Sequence, residues 1–144
     1  MPDNDDAWSD GALEEIDESE CWRLLGTQPV GRVAVIVGHY AHVVPVNHAV
    51  DGRSVVFRTA VGAKLWATHH SNVTFEVDDF DPARRDGWSV MVRGSARELS
   101  GESNPDTVRR IGSAAPQPWA PGRRDHIIRI VPDSISGRRI RQPG

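Results

Sequence analysis

The stretch that decides the fold reads Val30-Gly-Arg-Val-Ala-Val-Ile-Val37, Gly38-His-Tyr-Ala41, His42-Val-Val-Pro-Val-Asn47, His48-Ala-Val-Asp51, Gly52-Arg-Ser-Val-Val-Phe-Arg-Thr59. Residues 30–37 are dense in Val and Ile, whose branched side chains suit a pleated, half-buried surface. Gly38 to Ala41 interrupts that run, and 41–50 resumes it, which predicts a hairpin. Asp51-Gly52 is a strong two-residue turn signal before a third β-rich run at 54–59. Three antiparallel strands in succession follow.

Upstream, Leu13, Ile16, Cys21, Trp22, Leu24 and Leu25 recur at helical spacing, with Asp17 or Ser19 as caps and Gly26 as the stop. This predicts an amphipathic helix over 13–25. Residues 1–12 are too acidic and polar to offset their ordering entropy and are expected to form a mobile tail, with a single domain over 13–144. Downstream, 62–70 suits one or two helical turns, 72–77 a strand, and 78–87 a charged loop containing Pro82. Residues 88–99 read as extended, with a bulge or bend at Gly94. Pro105 suits the first position of a helix over 104–111, and the prolines of 116–122 forbid regular structure there. Two closing strands, 126–131 and 134–140, are expected on either side of Pro132-Asp133. Antiparallel hairpins with few helices favour a closed barrel, because closure removes exposed strand edges.

A chain of 144 residues, 38% hydrophobic and 26% charged, is the size of one domain with a modest core. Its net charge of −3 and pI near 6.0 give no basic field, so neither nucleic acid nor a membrane is an expected partner. One cysteine, Cys21, allows no internal disulfide, and the acidic start MPDNDDAWSDG is unlike a secretory signal, which predicts a reducing, cytoplasmic setting. No apolar run approaches the roughly 20 residues of a membrane span.

The richest candidate site is Phe57-Arg-Thr-Ala-Val-Gly-Ala-Lys64-Leu65, which holds the only lysine of the chain. A strand ending in Arg58 and Thr59, then a glycine turn and a helix start with Lys64, would converge two cations, a hydroxyl and unpaired backbone N–H groups on a phosphate. The same charges also suit an ordinary solvated turn, and the spacing is neither a P-loop nor a dinucleotide fingerprint.

In its place along the chain, this segment resembles the pyridoxamine 5′-phosphate oxidase-like flavin-binding family, in its short actinobacterial-type branch. The resemblance covers roughly 13–140 and rests on Gly31-Arg-Val-Ala-Val35, His42-Val-Val-Pro-Val-Asn47, Val56-Phe-Arg-Thr59 with Gly62-Ala-Lys64, and Gly87-Trp-Ser-Val-Met-Val-Arg-Gly94. It implies a six- to seven-stranded antiparallel split β-barrel, mainly β, with a few short peripheral helices. It implies FMN as cofactor, with Val44, Pro45, Val46 and Asn47 along the flavin ring and ribityl chain. Thr59 and Lys64 would hold the phosphate; Arg58 stands where the family has an aromatic residue, and Leu65 stands at a second basic position.

The resemblance further implies a homodimer with the cofactor at the subunit interface, where Trp88, Ser89 and Arg138 would reach the flavin from the second subunit. The chain ends soon after Ile140 without the arginine-any-histidine segment that binds pyridoxamine phosphate in the vitamin-processing oxidases. The expected activity is therefore flavin-dependent oxidation or reduction of a small-molecule redox substrate other than, or not proven to be, pyridoxamine phosphate. A deazaflavin coenzyme in a similar pocket, a non-catalytic flavin-binding or sensor protein, and a haem-handling protein are the alternatives. No catalytic triad or zinc motif is recognisable, no metal is expected, and the histidines read mostly as turn or surface residues. Cys21 reads as an inert core residue, and Trp119, in the proline-rich loop, is the tryptophan free to cover a flavin.

Overall fold

The computed structural model describes residues 13–59, 72–99, 105–122 and 126–142. Seven strands, β1 (Leu13–Ile16), β2 (Val30–Val37), β3 (Tyr40–Asp51), β4 (Ser54–Thr59), β5 (Asn72–Asp81), β6 (Asp86–Glu98) and β7 (His126–Ile140), form one antiparallel sheet. Its order is β1-β7-β4-β3-β2-β5-β6, and β6 pairs back onto β7 to close a split β-barrel. The predicted fold class is what the strands build. No helix among the described residues is long and apolar enough to cross a membrane.

The hairpin stretch folds as its pattern dictates. Val33, Val35, Val55 and Phe57 point inward with Phe75, Val77, Val90, Val92, Ile128 and Ile130 to make the core. A Cβ on Gly31 would lie 2.3 Å from the Phe75 ring, so this inward position must stay bare for the ring to fill the barrel. A second, smaller cluster of Val56, Ile111 and Ala115 lies on the outer side of β4, under helix α2 (Pro105–Ala114).

Two boundaries differ from the sequence expectation. The predicted helix over 13–25 divides into strand β1, paired with the end of β7 through Leu13↔Ile140, and helix α1 (Glu18–Leu25). Asp17 is the break: its carboxylate accepts from the Glu20 N–H at 2.9 Å, and that bond with the Ser19 hydroxyl holds its pKa below the ordinary value. Helix α1 then buries Cys21, Leu24 and Leu25 against the barrel. The two expected closing strands are one 15-residue strand, which continues through Pro132-Asp133. A register shift between Arg93 and Gly94 in β6 absorbs the irregularity, with Gly94 opposite Pro132. The charged segment expected as a loop is mostly strand, with only a tight turn between Asp81 and Asp86.

Strand β7 therefore serves as the seam. One edge pairs with β6 along its length; the other pairs first with β4, through His126 to Ile130, and then with β1, through Gly137 to Ile140.

Candidate functional site

The residues singled out in the sequence fall into three places. At the first end of the seam, Thr59 lies opposite His126 and Arg58 opposite Ile127. Arg58 faces outward, and its Nη2 and Nε donate to the carbonyls of Gly112 at 2.5 Å and Ala115 at 3.3 Å. It thereby supplies cationic donors to the C-terminal end of α2, where carbonyls lack helical partners. Lys64 lies outside the described residues, as does the expected helical turn at 62–70. Beyond Thr59, His126 Nδ1 is in contact with Glu98 Oε1.

The second place is β3. Val44, Pro45, Val46 and Asn47 pair with Val33, Arg32, Gly31 and Val30 of β2. Strand β4 takes only residues 48–51 of β3, so the other edge of 40–47 has no neighbouring strand among the described residues. A proline inside a strand is tolerated at such an edge, where a missing N–H breaks no ladder. Asn47 turns outward and ties two loops: its Nδ2 donates to the Pro29 carbonyl at 3.1 Å, and its Oδ1 accepts from the Trp119 N–H at 2.8 Å. Each end of the amide retains further hydrogen-bonding capacity. Trp119 is held by its backbone alone in that contact, with the residue 72% exposed.

The third place is the far end of the seam. Ser89 on β6 lies opposite Arg138 on β7, and with Leu13, Phe80 and Ile140 they line a concavity of about 270 Å³. Trp88 and Arg139, one residue along, share the opposite face of the sheet, where Trp88 packs against the core. Trp88 and Ser89 therefore present their side chains to different surfaces. From His126 to Arg138, β7 advances twelve residues, up to about 40 Å at 3.3 Å per residue. One chain does not bring Arg58 and Thr59 together with Ser89 and Arg138.

Sequence reasoning missed a cluster on the outer face between β2 and β5. Arg32 Nη1 lies 3.2 Å from Glu76 Oε1 and 3.3 Å from Asp78 Oδ2. Burial, then hydrogen bonding and repulsion from Asp78, push the Glu76 pKa up to about 7, with Arg32 opposing the rise. The i, i+2 spacing of Glu76 and Asp78 was a usable signal for a shared strand face. The approach of Arg32 was not, because it depends on β2 pairing with β5 across 44 residues.

His48 is a core residue rather than a surface one: its Nε2 donates to the Leu25 carbonyl at 2.7 Å, and its ring meets Phe75 edge-on at 4.9 Å. Its Nδ1 is buried without a hydrogen-bond partner, and desolvation lowers its pKa. Cys21 is buried as expected; burial and the nearby Asp17, Glu20 and Glu18 raise its pKa, against a smaller opposing effect of Arg139. Among the described residues, no three His, Cys, Asp or Glu side chains converge as a metal site.

Comparison with known proteins sets these places in a family. A protein of Mycobacterium tuberculosis without a characterised function is 38% identical over 133 residues, 88% of this chain and 84% of its own length. The structure of the FAD-binding protein from Mycobacterium smegmatis superposes with a TM-score of 0.76 at 37% identity, covering 90% of this chain and all of that one (100%). A conserved protein of unknown function from Corynebacterium diphtheriae gives a TM-score of 0.73 at 30% identity, over 90% of this chain and 98% of its own. The sequence profile of the family described as pyridoxamine 5′-phosphate oxidase matches residues 17–139, nearly the whole barrel, and this chain belongs to that family.

Proposed function

We propose that the protein binds a flavin nucleotide and acts as a flavin-dependent oxidoreductase on a small-molecule substrate. The observation that carries this reading is the edge of β3 over Val44 to Asn47, which pairs with no strand among the described residues. A strand edge offers backbone N–H and C=O groups in one plane, suited to the polar rim of a flavin ring. The bound flavin would supply the electron or hydride chemistry, while the protein positions it and limits solvent access.

Thr59 and Lys64, at and beyond the end of β4, are the proposed phosphate ligands. Arg58 contributes charge nearby while it holds α2, since a guanidinium has five N–H donors and two are engaged here. FMN is the form expected from the sequence, and the FAD-binding relative from M. smegmatis supports FAD. Both contain the mononucleotide half that this site would grip.

The site is proposed to be completed in a twofold homodimer. The length of β7 separates Thr59 from Ser89 and Arg138 by far more than a flavin mononucleotide spans, so these groups meet one flavin only if they come from different subunits.

The test is the absorption spectrum of the purified protein, with the flavin released by denaturation and identified by mass. Visible flavin bands and a stoichiometry near one per chain are expected. A colourless protein that takes up neither added FMN nor added FAD would refute the reading. Replacing Lys64 by alanine should weaken flavin binding about tenfold or more, through loss of a charge-assisted contact of roughly 1.5 to 3 kcal/mol.

A further inference from the structure

Beside the turn between β5 and β6 lies a pocket of about 410 Å³; of the residues that the family resemblance gives to the flavin it shares only Trp88, whose side chain is on the sheet face opposite to Ser89 and Arg138. Arg139 and Trp88 line it from neighbouring strands, directly opposite each other. Arg84 and Arg141 also line it. The volume falls within the range of small-molecule sites.

Arg139 is the unusual member. It is partly buried, and it has no hydrogen bond or ion pair among the described residues, although Glu14 of β1 lies directly opposite. Glu14 instead approaches Arg141 at 3.7 Å, and Arg84 approaches Asp86 at 3.4 Å. Both rim arginines have side chains more than half exposed, at 77% and 59%, so those long pairs hold them weakly. The lining thus carries three guanidinium groups against one carboxylate, Asp86.

The rim is also ordered. Asp81 Oδ1 accepts from the Ala83 and Arg84 N–H groups at 3.0 and 3.2 Å, and Gln142 Nε2 donates to the Arg85 carbonyl at 2.5 Å. Arg85 is held at φ +60°, the only residue other than glycine at positive φ among those described. A non-glycine residue kept in that region costs energy unless its surroundings fix it, which the Gln142 contact helps to do.

A half-buried, unpaired guanidinium favours an anion, a planar fork suits a phosphate or carboxylate, and an indole wall suits a ring. We propose that this pocket binds a phosphorylated planar-ring metabolite of the nucleoside monophosphate class, with Arg139 on the phosphate and Trp88 against the ring. The site goes beyond the flavin reading and does not depend on it, because Trp88 and Arg139 occupy the sheet face opposite to Ser89 and Arg138.

The test is calorimetric titration of the full chain with AMP, adenosine and inorganic phosphate. Saturable AMP binding is expected, with adenosine and phosphate each at least tenfold weaker. Arg139→Gln should weaken AMP at least tenfold and leave the thermal midpoint in place; Arg139→Lys, which keeps the charge without the fork, should fall between. Saturating FMN should leave AMP affinity unchanged. Wild-type AMP affinity in both variants, equal affinity for adenosine and AMP, no saturable AMP binding below millimolar, or displacement of AMP by FMN would each overturn the proposal. Because flavin uptake is scored separately by absorbance, failure here and failure of the flavin reading are distinguishable.

Discussion

The two ends of β7 carry arginines of opposite fate. At the first end, Arg58 donates to the Gly112 and Ala115 carbonyls, and Arg129 donates from Nε to the Ser54 hydroxyl at 3.1 Å. Arg58 fastens the end of α2, and Arg129 ties β7 to the start of β4. At the other end, Arg139 lines an open pocket with no such partner among the described residues. The difference teaches that a cation next to a strand end says little until its acceptors are counted. A helix terminus presents carbonyls that would otherwise be unpaired, and a guanidinium placed there is consumed by structure.

The sharpest way to break this comparison is Arg58→Ala. Removing charge-assisted bonds to two carbonyls should destabilise the fold by roughly 1.5 to 3 kcal/mol in urea unfolding. A variant as stable as wild type, but deficient in flavin uptake, would instead make Arg58 primarily a cofactor ligand.

Asn47→Ala should cost about 1 to 2 kcal/mol, since it removes bonds to Pro29 and Trp119. It should also release the 115–122 segment, seen as faster hydrogen exchange at the Trp119 amide. Unchanged exchange would show that α2 and Arg58 hold that segment without Asn47.

Two buried or partly buried acids and bases give opposing pH slopes. The His48 pKa is lowered in the fold, so its neutral form is favoured there. The stability this gives is complete above about pH 6.5, the unfolded value, and is lost as pH falls toward the folded pKa. The Glu76 pKa is raised to about 7, so its protonated form is favoured in the fold. Its contribution is fully present below the unfolded value near 4.5 and is lost as pH rises through about 7. In the wild type the two slopes therefore oppose each other. Glu76→Gln should unmask a fall in stability with acid below pH 6.5, and His48→Gln should unmask the reverse slope. Flat profiles in both variants would contradict both assignments.

The smallest effect is expected at the opposite end of the seam. Arg139→Gln removes no hydrogen bond or ion pair made among the described residues, so its stability should stay within about 0.5 kcal/mol of wild type. A loss comparable to that of Arg58→Ala would erase the distinction between the two ends.

Much of the fold was legible because its signals are local. Val30 to Val37 is dense in β-branched residues, Asp51-Gly52 turns, and Pro105 opens α2 where its missing N–H breaks nothing. The failures were at joints. Leu13 and Ile16 fit a helical spacing, yet β1 forms because the end of β7 offers them an unpaired edge. Pro132-Asp133 reads as a break, yet β7 continues because a register shift in β6 accommodates it.

The candidate site divides in the same way. The sequence by itself determined the hairpins and the family to which the barrel belongs, since these rest on β-branched density, turn chemistry and ordered short motifs. Only the tertiary structure decided that Arg58 fastens α2, that Asn47 ties Pro29 to Trp119, that Glu76 shares Arg32 with Asp78, and that Arg139 stands beside Trp88 with no hydrogen-bond or ion-pair partner among the described residues. Those outcomes depend on which strands and helix ends meet across dozens of residues. A side chain's type fixes what it can donate or accept, but the closing of the barrel selects what is there to receive it.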